Sequence, residues 1–147
     1  MKSIITSLLL LFINLCFAQT TVTIDNLSKF KEFSSEQVDL TKGEKLLGVF
    51  NTNCDHCQET ATKLAQFENN NIPPIYALFY NEIEEIGPKE FSDKTNTNYP
   101  FIVIGDDDFW DLLKNNPPII YHLKDGKVIQ YFEGKEIADR INAEFTN

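Results

Sequence analysis

Leu46 to Gln58, LLGVFNTNCDHCQ, decides how this chain reads. An apolar run ends at Asn53. Cys54 and Cys57 follow with two residues between them, and Gln58 leads into ETATKLAQFENN, which has the pattern of an amphipathic helix. The cysteine pair therefore sits where a strand hands over to a helix. At such a junction the backbone N–H groups and the positive end of the helix dipole point at Cys54 and favour its thiolate.

The flanking sequence builds outward from this junction. Leu46–Asn51 is apolar on both faces, as a central strand covered on both sides would be. The helix from about Cys57 to Glu68 gathers Cys57, Ala61, Leu64, Ala65 and Phe67 near one side. Asn69-Asn70-Asn71 ends it, and Pro73-Pro74 prevents continuation. Ile75–Tyr80, IYALFY, reads as a second buried strand, so the unit is a parallel strand–helix–strand crossover.

Beyond it, Glu82, Glu84 and Glu85 open a poorly patterned stretch with a short helix expected around Pro88 to Lys94. Phe101–Ile104 is a short strand. Asp106-Asp107-Asp108 lacks the glycine and distal glutamate of an EF-hand, so these acids read as a cap for the helix FWDLLKN, with Trp110, Phe109 and Leu112 assigned to the core. Ile119–Leu123 and Val128–Phe132 flank Asp125-Gly126, a hairpin signal. His122, mid-strand, reads as a packing residue. Ile137, Ile141 and Phe145 mark a terminal helix. Upstream, Thr20–Ile24 suggests an edge strand. Leu27, Phe30 and Phe33 suggest a short helix capped by Asn26 or Ser28.

The first residues follow a different logic. Met1-Lys2, the apolar Ile4–Leu15 and Cys16-Phe17-Ala18 have the layout of a secretory signal peptide cleaved after Ala18. Its apolar core is short of the roughly 20 residues that span a bilayer. Leu15 argues against lipidation of Cys16. Residues 19–147 are then expected to form one domain, and the protein to be exported, periplasmic or secreted. The full chain carries a net charge of −9, and loss of Lys2 leaves the mature chain more negative still. Such acidity gives no electrostatic reason to bind nucleic acid or an anionic membrane. Of the 3 cysteines, Cys16 leaves with the signal, and the remaining pair closes too small a loop to stabilise a fold appreciably.

Strand, C-x-x-C, helix, strand, then proline, hairpin and terminal helix resembles the thioredoxin fold, an α/β architecture with a central mixed sheet flanked by helices. The likeness runs from about Leu46 to Phe145. Pro118, eight residues before Gly126 of the K-D-G-K hairpin, stands where that family has a cis-proline facing the substrate, with Pro117 before it. The insertion before Pro118 is similar to the exported TlpA-like branch. FNTNCDHCQETATKL, NYPFIVIGDDDFW and PPIIYHLKDGKVI also resemble the thioredoxin-like domains that accompany DoxX-type membrane proteins in some bacteria. There are departures: Asn53 replaces the usual tryptophan, Asp55 the usual proline or glycine, and the family's buried acid would fall at Gly48.

The resemblance implies a thiol–disulfide oxidoreductase acting as a monomer on protein thiols and disulfides, with a possible membrane electron-transfer partner and no cofactor. Cys54 would attack and Cys57 resolve the mixed disulfide. His56, if protonated, would lower the Cys54 pKa, and Asp55 would raise it. Pro117 and Pro118 would hold an extended substrate. The competing reading is a metal-binding module in which the two cysteines, with His56 or His122, hold copper or zinc. Two cysteines and two histidines are few for a closed zinc site. Haem attachment is excluded by Gln58, which occupies the position of the required histidine.

Overall fold

A computed structural model describes residues 27–81 and 86–146. The expected signal peptide, the strand expected at Thr20–Ile24, Asn26 and the acids Glu82, Glu84 and Glu85 lie outside the described residues.

The segment from Leu27 corrects one expectation. In place of a helix running to Ser35, the chain makes a turn and then a small hairpin of β1 (Glu32–Phe33) and β2 (Glu36–Gln37). Tertiary hydrogen bonds explain the outcome. Ser34 N–H donates to the Phe101 carbonyl at 2.8 Å, the Ser34 hydroxyl accepts from Phe101 N–H at 3.2 Å, and Val38 N–H closes onto Lys31 at 2.9 Å. Leu27, Phe30 and Phe33 are all buried in one cluster, so the apolar spacing identified the buried face but not the backbone.

The main sheet contains β3 (Glu44–Asn51), β4 (Ile75–Tyr80), β5 (Phe101–Ile104), β6 (Ile119–Lys124) and β7 (Lys127–Glu133). Their spatial order is β5-β4-β3-β6-β7. The β3–β4 and β4–β5 pairs are parallel, while β6 runs antiparallel to both β3 and β7. β3 is the middle strand, which accounts for its apolar character on both faces. Leu46 and Phe50 face one cluster, and Leu47 and Val49 face the other.

On the Phe50 side lie α1 (Asp55–Ala65), α2 (Pro88–Thr95) and α4 (Ile137–Thr146), through Cys57, Leu64, Phe91 and Ile141. α3 (Asp106–Leu112) covers the other side through Phe109 and Leu112. The Phe50 ring sits among those of Phe79, Phe91 and Tyr99, with centroids 5.8–6.4 Å away. It also lies over Gly48: a Cβ there would stand 2.3 Å from the ring. That ring fills the space beside the strand where the resemblance would set a buried acid.

The Asp125-Gly126 turn forms as expected, with φ of +45° and +77°, the geometry of a tight hairpin. Two further expectations change. Gly105, not an aspartate, is the N-cap of α3, and no side chain caps it. The three acids occupy the first turn, where they meet the helix dipole, and Asp108 pairs with Lys29. Trp110 is 61% exposed while Phe109 is 1% exposed, because Phe109 and Leu112 share the inward face and Trp110 is turned about 100° from it. His122 is buried as read. Its Nε2 lies 2.8 Å from Glu44 and its ring packs edge-on to Phe145.

Candidate active site

β3 ends at Asn51, and three residues carry the chain into α1. Side-chain hydrogen bonds fix this short loop. Asn51 Oδ1 accepts from Asn53 N–H at 2.9 Å, and Gln58, from the first turns of α1, donates Nε2–H to the Thr52 carbonyl at 2.9 Å. Thr52 is fully buried. Its N–H reaches the Tyr80 carbonyl at 3.1 Å and its hydroxyl reaches Asn81 Oδ1 at 3.2 Å. Asn53 Oδ1 accepts from Ile86 N–H at 3.0 Å. These contacts deliver Cys54 as the N-cap of α1, in extended conformation, with its sulfur accepting from Cys57 N–H at 3.4 Å.

The two cysteines are free thiols in different surroundings. Cys54 is half-buried; Cys57, one turn into the helix, is fully buried. A hydrogen bond from Cys57 holds the Cys54 thiol down at a pKa of about 6; burial opposes this, and the backbone N–H groups of Cys57 and His56 assist it. The charge of His56 is the last and smallest contribution. Burial pushes the Cys57 thiol far up, with the neighbouring Cys54 adding to the rise. One thiol is therefore ionised at neutral pH and its neighbour is held protonated.

The remaining candidates gather around this pair. The Pro117–Pro118 peptide is cis, and the Pro117 carbonyl lies 3.9 Å from Cys54 Sγ. Pro118 is buried immediately before β6, and Asp55 is exposed as the first residue of α1. His56 is engaged elsewhere: its Nε2 lies 2.8 Å from the Gly134 carbonyl. A carbonyl only accepts, so this nitrogen carries the proton. His122 does not join the group. It pairs with Leu46 across the sheet and bonds Glu44, at the opposite end of β3 from the cysteines. Among the described residues, no three His, Cys, Asp or Glu side chains converge in a way that would hold a metal ion.

The sequence reading missed Thr52, Gln58, Asn51 and Asn53 as positioning residues, and it also missed Glu133. Gln58 carried a usable signal: an amide directly after the second cysteine, on the helix face turned to the strand end. Glu133 carried no such signal: the Asp125-Gly126 turn alone would set Phe132 opposite Ile119, and a register shift between His122 and Leu123 brings Glu133 there instead, next to Pro118.

No protein-family model matches the sequence, and comparison with curated proteins gives no match. Solved structures do match. A secreted Mycobacterium tuberculosis disulfide oxidoreductase, homologous to E. coli DsbE, superposes with a TM-score of 0.62 at 16% identity, covering 82% of this chain and 96% of its own. The chain has the thioredoxin-like fold. A thiol:disulfide interchange protein of the thioredoxin family from Chlorobium tepidum TLS matches at a TM-score of 0.54 and 15% identity, over 86% of this chain and 92% of its own. Another, from Bacteroides sp., matches at 0.54 and 16%, over 74% and 77%.

Proposed function

We propose that this chain is an exported thiol–disulfide oxidoreductase that works as a monomer and exchanges disulfides with protein substrates through Cys54 and Cys57. One observation carries the reading. Cys54, half-buried at the start of α1 with a pKa of about 6, is a ready nucleophile, while three residues away a buried thiol is kept protonated.

Reduction of a client runs in two exchanges. The Cys54 thiolate attacks one client sulfur, forms a mixed disulfide and expels the other client sulfur as a thiolate. Cys57 then gives up its proton and attacks Cys54 Sγ. The Cys54–Cys57 disulfide forms, the remaining client sulfur leaves and takes a proton, and two electrons have passed from the pair to the client. Oxidation of a client is the same path reversed. Pro117 and Pro118, beside Cys54, would hold the client as an extended strand.

Export is supported by the basic and apolar start of the chain, and by the secreted neighbour. A membrane electron-transfer partner would reload the pair; the likeness to domains that accompany DoxX-type proteins favours a membrane protein in that role. Metal capture lacks equal support, because His56 and His122 are bonded to Gly134 and Glu44. The test is the reduction potential of the pair, by equilibration in glutathione or dithiothreitol with thiol trapping. A value near about −120 mV supports an oxidant, and one near about −270 mV supports a reductant. Failure to form the disulfide overturns the proposal.

A further inference from the structure

Beside Cys54 the surface opens into a groove of about 590 Å³. Two of its lining residues border the cysteine: His56 lies two positions along the chain, and the Pro117 carbonyl is 3.9 Å from Cys54 Sγ. Asn115, Asn116, Glu133 and Lys135 also line it. A client strand lying against Pro117 and Pro118 would carry the residues flanking its cysteine into this groove.

Glu133 is the chemically unusual member. It is the last residue of β7 and stands across the ladder from Ile119, the residue after Pro118. Its Oε1 accepts from Asn115 Nδ2 at 3.0 Å. Its Oε2 is buried and has no partner among the described residues. A carboxylate only accepts, and an oxygen removed from water without a donor is destabilised. No cation of the chain supplies that donor among the described residues. Arg140 bonds the Glu133 backbone carbonyl at 2.9 Å, and Lys135 is exposed and in no ion pair with Glu133. The groove thus holds an unused acceptor just below its surface, across the ladder from Ile119, in a chain of net charge −9.

We propose that Glu133 is a specificity residue that selects client segments carrying lysine or arginine next to the reacting cysteine. This rests on the disulfide-exchange reading above. A basic side chain supplies N–H donors on a long apolar stem, which allows its charge to reach a carboxylate set below the groove surface. An acidic flank would be repelled, and an alanine flank would leave Oε2 unpaired.

The test uses Cys57→Ala protein, in which only Cys54 reacts, and peptides whose single cysteine is joined to thionitrobenzoate. The Cys54 thiolate attacks the peptide sulfur, forms Cys54–S–S–peptide and expels the coloured thionitrobenzoate thiolate, so thiolate in equals thiolate out. Peptides differ only in their flanks: lysine, alanine or glutamate. The lysine peptide is expected to react roughly tenfold faster than the alanine peptide, the scale of one charge-assisted hydrogen bond, and the glutamate peptide more slowly than either. Added Glu133→Gln should bring the lysine-to-alanine ratio close to one. Equal rates for all three peptides, or a ratio unchanged by Glu133→Gln, overturn the inference and leave disulfide exchange standing. If no peptide releases thionitrobenzoate, the functional proposal falls and takes this one with it.

Discussion

Replacing Cys57 tests how the acidity of Cys54 arises. Its leading cause is the hydrogen bond from the Cys57 side chain; backbone N–H groups of Cys57 and His56 contribute less. Cys57→Ala removes the side-chain donor and leaves the backbone N–H that points at Cys54 Sγ from 3.4 Å. A hydrogen bond to a charged group is worth about 1.5–3 kcal/mol and one pKa unit about 1.4 kcal/mol, so the midpoint should rise by roughly one to two units. From a start near 6, that leaves between roughly a half and a tenth of Cys54 ionised at pH 7, against about nine-tenths in the parent.

The assay is the rate of iodoacetamide alkylation of Cys54 across pH. The parent should show a midpoint near 6 and Cys57→Ala one between roughly 7 and 8. Cys57→Ser, which keeps an O–H donor, should stay close to the parent. At high pH the alanine variant should react faster than the parent, because a more basic thiolate is the better nucleophile. An alanine variant that still titrates near 6 would refute the assignment and leave the acidity to the backbone alone.

Other outcomes follow from the same structure. Cys54 titrates near 6 folded and near 9.0 unperturbed, so the unfolded reduced chain binds more protons over that window. Stability of the reduced form should rise with pH across it and be lost as pH falls through 6, while the Cys54→Ala protein lacks this component in denaturant titrations. Phe109→Ala should cost about 3–5 kcal/mol and Trp110→Ala less than about 1 kcal/mol, reversing what residue size alone suggests. Gly48→Ala should cost about 1–3 kcal/mol through displacement of the enclosed Phe50 ring. Gly87→Ala, where a Cβ meets nothing within 4 Å, should cost no more than about 1 kcal/mol by the same measurement, the loss of glycine at the N-cap of α2.

What the sequence disclosed depended on whether local pattern or distant contact decided the outcome. Ile75–Tyr80 and Phe101–Ile104 formed with the expected bounds, because continuous apolar runs next to proline leave little choice. The Asp125-Gly126 turn was equally legible, since few dipeptides accept positive φ at both positions. Leu27, Phe30 and Phe33 misled because a spacing of three fits both a helix and a turn followed by a hairpin, and Phe101, far along the chain, selects the hairpin. Trp110 misled because hydrophobicity does not say which of two adjacent helical residues faces inward. The polar contacts behind Cys54 were the least legible feature. Thr52, Gln58 and Asn81 are ordinary polar residues until the strand end and the helix start are brought together.

The tuning of Cys54 differs in kind from the sequence expectation, and that difference has a measurable consequence. Sequence alone offers two charged neighbours, His56 and Asp55, acting against each other. In the structure His56 donates Nε2–H to Gly134, its charge is the smallest influence on Cys54, and hydrogen bonds to the sulfur dominate. Charge effects at a half-exposed site weaken as salt rises, because the screening length falls from about 10 Å at 0.1 M to about 3 Å at 1 M. Hydrogen bonds in direct contact with the sulfur are not screened in that way. The Cys54 midpoint should therefore move by less than about 0.5 units between these salt concentrations, and by a similarly small amount in His56→Ala. A full-unit shift with salt would return the tuning to the charged neighbours, and a full-unit shift in His56→Ala would return it to His56. With a small shift in both, the acidity belongs to the turn itself, and any redesign of the Cys54 acidity has to change Cys57 or the way Thr52 and Gln58 hold the loop.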